Sequence, residues 1–296
     1  MTHERKPITP QAGLDIVEFD VPLRDGATTT LRTYRRAASG ANNHSRRLRL
    51  VPALVYMHGG GFVTGSLETD DAPCRAVAAA LDLVVVNVEY RLAPEHQFPV
   101  GFEACFDVVR WVASPPGQEK LCADLNKGFI LGGTSAGANF AAGIAHLARQ
   151  EGLAPRITGL VFLAGSFCHP DARPQKYLDR ILSVDEITVA PGLTRKSIDY
   201  YATKYGAPPE DRRLSPLLFE SHGGIADKAY FAVCGLDPRR DEALLFERLL
   251  SDSGLGTKVD VYPGLPHGFW TTFPDLDVSK AWLDKLIAGL RWMMIA

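Results

Sequence analysis

The sequence predicts an α/β fold, a mostly parallel central sheet with helices on both faces, on three observations. From about residue 50 onward, short apolar runs alternate with stretches of helical spacing, the pattern of a doubly wound sheet. Leu83-Val84-Val85-Val86-Asn87-Val88-Glu89-Tyr90 is apolar at nearly every position, as expected of a strand covered on both faces. The run Phe129-Ile130-Leu131-Gly132 passes directly into Gly133-Thr134-Ser135-Ala136-Gly137 and a small-residue stretch over 138–144, a strand that turns sharply into a helix. A chain of 296 residues suits one large domain of this class, and 1–296 is read as one.

Before the alternation begins, residues 15–21 and 28–34 form two β-branched or alternating runs linked through Arg24-Asp25-Gly26, which predicts a hairpin. Residues 1–13 read as a tail or short lid segment. Residues 36–49, polar and basic, read as a solvated loop. Pro52 to Met57 is a short strand that ends in His58-Gly59-Gly60-Gly61-Phe62. A helix over 70–81, the strand at 83–90, a helix over 101–113, the serine strand and helix, and a buried strand at 158–164 follow. Residues 167–214 break the rhythm with proline, charge and tyrosine (Tyr177, Tyr200, Tyr201, Tyr205), and carry weak helical stretches near 175–183 and 193–204. An insertion between two strands is where a cap would sit, so 167–214 is the expected cap, with 1–14 a second candidate contributor. The alternation resumes with a strand at 229–235, a helix over 241–251, a strand at 258–262 and an amphipathic terminal helix over 278–294. Right-handed crossovers place the loops after parallel strands on one edge, so His58, Ser135 and later candidates that follow strands should cluster.

Composition narrows the function. Lys and Arg number 32 against 34 Asp and Glu, a net charge of −2, so the chain lacks the basic surplus that nucleic acid or an anionic membrane would require. No apolar run approaches the roughly 20 residues of a membrane span, and the charged start has no apolar stretch behind it to make a secretory signal. The five cysteines are scattered, with no Cys-x-x-Cys pair, and read as buried small hydrophobes in a reducing compartment. A cytoplasmic protein is expected. The sequence contains no Gly-Lys dipeptide, no G-x-G-x-x-G and no H-E-x-x-H, and no cluster with metal-ligand spacing, so neither a metal nor a cofactor is expected.

Gly133–Gly137 reads G-x-S-x-G. The turn forces the serine into a crowded backbone conformation, and the flanking glycines remove the side chains that would clash. A small-residue turn can also be no more than a turn, so the rest of the chain must decide. A serine hydroxyl needs a base to become a nucleophile, and the base needs an orienting acid. In α/β hydrolases these follow in the order Ser, acid, His. Asp237 stands at the end of the strand 229–235, in Gly235-Leu236-Asp237-Pro238-Arg239-Arg240-Asp241-Glu242. Of the eight histidines (His3, His44, His58, His96, His146, His169, His222, His267) only His267 lies beyond it, in the loop after the last strand. Asp241 and Glu242 are rival acids, but they fall in the first turn of the next helix, where carboxylates already favour the dipole. The attack makes an oxyanion, for which the N–H of Ala136 and the N–H groups of His58-Gly59-Gly60-Gly61 are available donors. His58 itself reads as a brace for that loop. Phe62, Phe98, Phe269 and Trp270 flank these motifs and are candidates for an acyl pocket or for ordinary core.

Together these residues resemble the hormone-sensitive-lipase-like family of α/β-hydrolase carboxylesterases. Four motifs match in order: His58-Gly59-Gly60-Gly61-Phe62, Tyr90-Arg91-Leu92-Ala93-Pro94-Glu95, Gly133-Thr134-Ser135-Ala136-Gly137, and Asp237 to Glu242 with His267-Gly268-Phe269. The similarity spans about residues 15–296. It implies Ser135 as nucleophile, His267 as base, Asp237 as orienting acid, an oxyanion hole from the N–H groups of Gly60, Gly61 and Ala136, and no cofactor. It also implies short- or medium-chain esters as small-molecule substrates, and a homodimer as one assembly, since some relatives pair through the last strand and helix. The chain departs from the family in two places. Thr134 stands where many members have Asp, and the segment before the first strand is short, which predicts a more open pocket. Within the same resemblance an amidase or formamidase would use the same triad, and a non-catalytic binding relative would have lost the histidine.

Overall fold

The computed structural model of the protein describes residues 8–37 and 49–294. The expected tail at 1–7 and most of the basic loop, 38–48, lie outside the described residues, and His3 and His44 with them. β1 (Leu14–Pro22) and β2 (Thr28–Arg36) form the expected antiparallel hairpin, turned at Gly26 with φ +82°. β3 (Ala53–Met57), α1 (Asp71–Ala80), β4 (Val84–Val88) and α2 (Val100–Ala113) follow as the pattern predicts. A short helix that the periodicity does not show, α3 (Pro115–Leu121), is started by Ser114, whose hydroxyl accepts from the Gly117 N–H. β5 (Phe129–Thr134) leads into α4 (Ala136–Gln150), and β6 (Gly159–Leu163) comes next.

The segment after β6 holds only short elements: α5 (Ser183–Glu186) and α6 (Arg195–Tyr205). The expected stretch near 175–183 is a single 3₁₀ turn at Gln175–Tyr177, whereas that near 193–204 is the true helix α6. The reason is capping: Thr194 and Ser197 exchange side-chain bonds at the start of α6 and Gly206 closes it with φ +71°, while no side chain caps the turn at 175. β7 (Lys228–Leu236), α7 (Arg240–Asp252), β8 (Gly256–Pro266), a short α8 (Phe269–Thr272) and α9 (Asp277–Met293) complete the chain.

The strands form one eight-stranded sheet in the order β1-β2-β4-β3-β5-β6-β7-β8. β3 to β8 are parallel throughout, and β2 pairs antiparallel with β4, which attaches the hairpin to the sheet's edge. β3 to β6 are buried at every position, so both faces need covering. One core packs Phe102 and Phe106 of α2, Phe140 of α4 and Phe246 of α7 against the sheet. The other packs Cys74 and Val77 of α1 with Trp282, Leu286 and Leu290 of α9. Among the described residues no helix is long and apolar enough to cross a membrane.

Buried histidines add a pH-sensitive element. The His146 Nδ1–H donates to the Ala142 carbonyl at 2.8 Å, so its Nε2 accepts from the His222 Nδ1–H at 2.9 Å. Burial holds His146 at about 3 and His222 at about 4, and fully buried His58 likewise lies at about 4. These rings are neutral in the fold but take a proton in the unfolded chain below pH 6.5. Their stabilisation is therefore complete above pH 6.5 and is lost as the pH falls toward 4, by at most about 1.4 kcal/mol per pH unit for each ring. Asp70, raised by burial to about 6, has the opposite sign below that pH and offsets about one of the three. The urea midpoint of unfolding is expected to fall from pH 7 to pH 5, and a flat midpoint over that range would contradict the assignment.

Candidate active site

Ser135 occupies the single residue between β5 and α4, with φ +54° and ψ −110°. An L-residue adopts this conformation only when its surroundings impose it. Two close approaches impose it here. A Cβ on Gly133 would lie 2.1 Å from the Met57 carbonyl oxygen, and a Cβ on Gly137 would lie 1.9 Å from the same atom. Only glycine at both positions lets the start of α4 press against the end of β3, and the serine is left standing at the turn.

His267 follows β8 and Asp237 follows β7. The His267 Nε2 lies 2.9 Å from the Ser135 Oγ, and its Nδ1 lies 2.7 Å from the Asp237 Oδ2. A carboxylate accepts only, so the Nδ1 carries the proton, and the Nε2 is left to accept from the serine hydroxyl. Asp237 is 1% exposed, and its other oxygen accepts from the Arg239 N–H at 2.9 Å. The rival acids are occupied elsewhere. Asp241 accepts from the N–H groups of Leu182 and Ser183 at 2.9 and 2.7 Å, and Glu242 accepts from the Phe167 N–H at 2.7 Å. They fasten the segment after β6 to α7.

The glycine loop follows β3 and faces the same edge. Gly60 and Gly61 have φ of +125° and +60°, and a Cβ on Gly60 would strike the Thr64 carbonyl at 2.0 Å. The N–H groups of Gly60 and Gly61 meet no acceptor among the described residues, and the Ala136 N–H, at the first position of α4, has no helical acceptor. The Tyr90–Glu95 motif supports this loop. The Tyr90 hydroxyl donates to the His58 carbonyl at 2.8 Å, its ring stacks on His58 at 4.1 Å, and the Ala93 N–H donates to the Phe62 carbonyl at 2.9 Å. His58 is buried, with its Nδ1–H bonded to the Gly59 carbonyl at 2.7 Å, as a brace would be.

Beneath both motifs lies a polar group that sequence reasoning missed. The buried Asp70 carboxylate accepts from the Gly59 N–H at 3.2 Å, close to the hydroxyls of Tyr56 and Thr134, which bond to each other at 2.7 Å. Burial raises its pKa to about 6 against the pull of these neighbours. Asp70 thus holds the first glycine of the loop, beside the residue that precedes Ser135. In the sequence it reads only as the acid that begins a helix.

A cavity of about 50 Å³ opens beside Ser135, bounded by Gly61, Phe62, Ala136 and residues of α6. The expected open pocket is not observed, because the Tyr201 ring of α6 packs on Gly61 so closely that a Cβ there would lie 2.5 Å away. Of the four aromatic candidates only Phe62 lines the cavity. Phe269 and Trp270 are buried in the α1/α9 core, and Phe98 packs edge-on against Tyr205. Residues 8–14 do not line it; the Thr9 carbonyl instead accepts from Arg75 of α1 at 2.9 Å. A larger hollow of about 600 Å³ lies along β1, lined by Ile8, Pro10, Leu14 and Val17 among others, and shares no lining residue with the cavity beside Ser135.

A serine at a strand–turn–helix junction, with carboxylate and imidazole supplied after the last two strands of a mostly parallel sheet, is the arrangement of an α/β hydrolase. The model of the alpha/beta hydrolase fold family matches residues 54–271. Carboxylic ester hydrolase LipN of Mycobacterium tuberculosis is 32% identical over 291 residues, covering 95% of this chain and 71% of LipN. The crystal structure of vibralactone cyclase superposes with a TM-score of 0.89 at 31% identity, over 96% of this chain and 82% of that one. A hyperthermophilic esterase from the archaeon Pyrobaculum calidifontis superposes with a TM-score of 0.82 at 30% identity, over 97% and 88%. The chain belongs to the hormone-sensitive-lipase-like carboxylic ester hydrolases of the α/β-hydrolase fold.

Replacing Asp70 by Ala leaves the buried Gly59 N–H without its acceptor and opens a gap beside the Tyr56 and Thr134 hydroxyls. The expected cost is about 1–3 kcal/mol of stability, read as a lower urea midpoint, with Asp70→Asn, which keeps one oxygen, losing less.

Proposed function

We propose that this protein is a serine carboxylesterase that cleaves esters of short acyl groups through an acyl-enzyme, with Ser135 as nucleophile, His267 as general base and acid, and Asp237 as the group that orients it. The observation that carries this reading is the unbroken line from carboxylate to imidazole to hydroxyl, at 2.7 and 2.9 Å. His267 takes the hydroxyl proton as the Ser135 Oγ bonds to the ester carbonyl carbon. The negative charge that forms on the carbonyl oxygen is met by the N–H groups of Gly60, Gly61 and Ala136, which have no competing acceptor to release first. His267 then passes its proton to the departing alkoxide as the C–O bond breaks. Water, deprotonated by the same imidazole, attacks the acyl carbon and regenerates the serine.

The segment 167–214 serves in this reading as the cap that closes the acyl side of the cleft through α6. Short acyl groups follow from the space: about 50 Å³, against roughly 10–15 Å³ for each water that such a volume admits. A non-catalytic binding role is disfavoured by His267, which holds both of its partners.

Ser135→Ala is expected to lower kcat on p-nitrophenyl acetate by roughly 10⁴–10⁶ and to abolish labelling by a fluorophosphonate probe. Labelling that persists in this variant would overturn the assignment of the nucleophile. A matched panel of acetate esters and acetanilides tests the amidase alternative, with faster cleavage of the esters expected.

A further inference from the structure

The cavity beside Ser135 is apolar along Phe62, Leu193, Ile198 and Tyr201, yet Ser166, His169 and Arg239 also line it, and no lining residue is a carboxylate. Arg239 is anchored from one nitrogen only. Its Nη1 donates to the Cys168 carbonyl at 3.0 Å and pairs with the buried Glu242 carboxylate at 3.1 Å. The Nε and Nη2 bond to nothing among the described residues, although the side chain is only 11% exposed. Helix capping does not account for this placement. Arg239 stands at the N-cap of α7, where the helix dipole disfavours a cation. His169 adds a second donor, because its Nδ1 accepts from the Asp171 N–H at 3.2 Å, which leaves the ring proton on Nε2.

We propose that Arg239, with His169 beside it, forms a donor subsite in this cavity, and that the preferred esters carry a second acceptor oxygen, keto or carboxylate, on the acyl part that fills it. The proposal rests on the esterase reading of Ser135 and names its substrate class. The physical reason is desolvation. An acyl group that enters the cavity strips water from the free edge of the guanidinium. A plain alkyl chain offers nothing in return, whereas an oxygen accepts a charge-assisted hydrogen bond, bidentate if it belongs to a carboxylate.

Two isosteric pairs of ethyl esters test this: ethyl acetoacetate against ethyl 3-methylbutyrate, and monoethyl succinate against ethyl 4-methylpentanoate. The wild-type chain is expected to favour the oxygen-bearing member of at least one pair by about tenfold or more in kcat/KM. Arg239→Met is expected to erase or reverse that ratio, and Arg239→Lys, which keeps a cation but not the fork, to retain part of it. A wild-type ratio near one in both pairs overturns the subsite, and that result depends on no variant folding. A preference that survives Arg239→Met, with Ser135 still labelled by fluorophosphonate, overturns it too. Failure of the wild-type chain to cleave any of these esters or to take the label would instead remove the esterase reading, and the subsite with it.

Discussion

The site depends on how closely the start of α4 meets the end of β3. The Met57 carbonyl oxygen occupies the space where side chains at both Gly133 and Gly137 would be. This one contact does two things. It holds Ser135 in its left-handed turn, and it sets the Ala136 N–H beside the loop that begins at His58 immediately after Met57. Ser135 and the free N–H groups of Gly60, Gly61 and Ala136 are therefore positioned by the same pair of backbone segments, and neither can shift without the other. For the proposed reaction such rigidity matters, since donors that must reorganise contribute less to stabilising a transition state.

The polar interior follows from that arrangement. A glycine loop with free N–H groups has few contacts of its own, so it is held from behind. Asp70 grips it at Gly59, Tyr90 at His58, and Ala93 at Phe62. Thr134, bonded to the Tyr56 hydroxyl, lies close to the same carboxylate, so Asp70 sits between loop and turn. Burying a carboxylate is unfavourable unless it is bonded, and the Gly59 N–H supplies that bond. His58 takes no part in proton transfer in this reading, because burial keeps it neutral and its Nδ1 is committed to the adjacent carbonyl.

The acidic run after Asp237 links the site to the segment that covers it. Asp237 faces His267, Asp241 holds the backbone at Leu182 and Ser183, and Glu242 holds Phe167 and Arg239. One short stretch of sequence thus bonds His267, fastens the segment after β6 and contributes Arg239 to the cavity lining. Tyr201 of α6 packs over Gly61 and bounds the cavity on that side.

The sequence by itself determined the element order, the serine turn and the meeting of Ser135, His267 and Asp237. Those signals are local or ordinal. Apolar periodicity reports burial of a face, glycines mark a turn that permits no side chain, and the order of acid and base along the chain leaves His267 as the only histidine after Asp237. It did not reveal contacts between distant residues that carry no local mark. Asp70 looks like any acid at a helix start until folding brings the Gly59 N–H to it. The pairing of His146 with His222, the support of the glycine loop by Tyr90, and the cavity face of Arg239 depend likewise on where separate strands and helices come to rest. The narrow cavity has the same origin: the Tyr201 ring against Gly61 exists only once α6 has packed across the sheet edge.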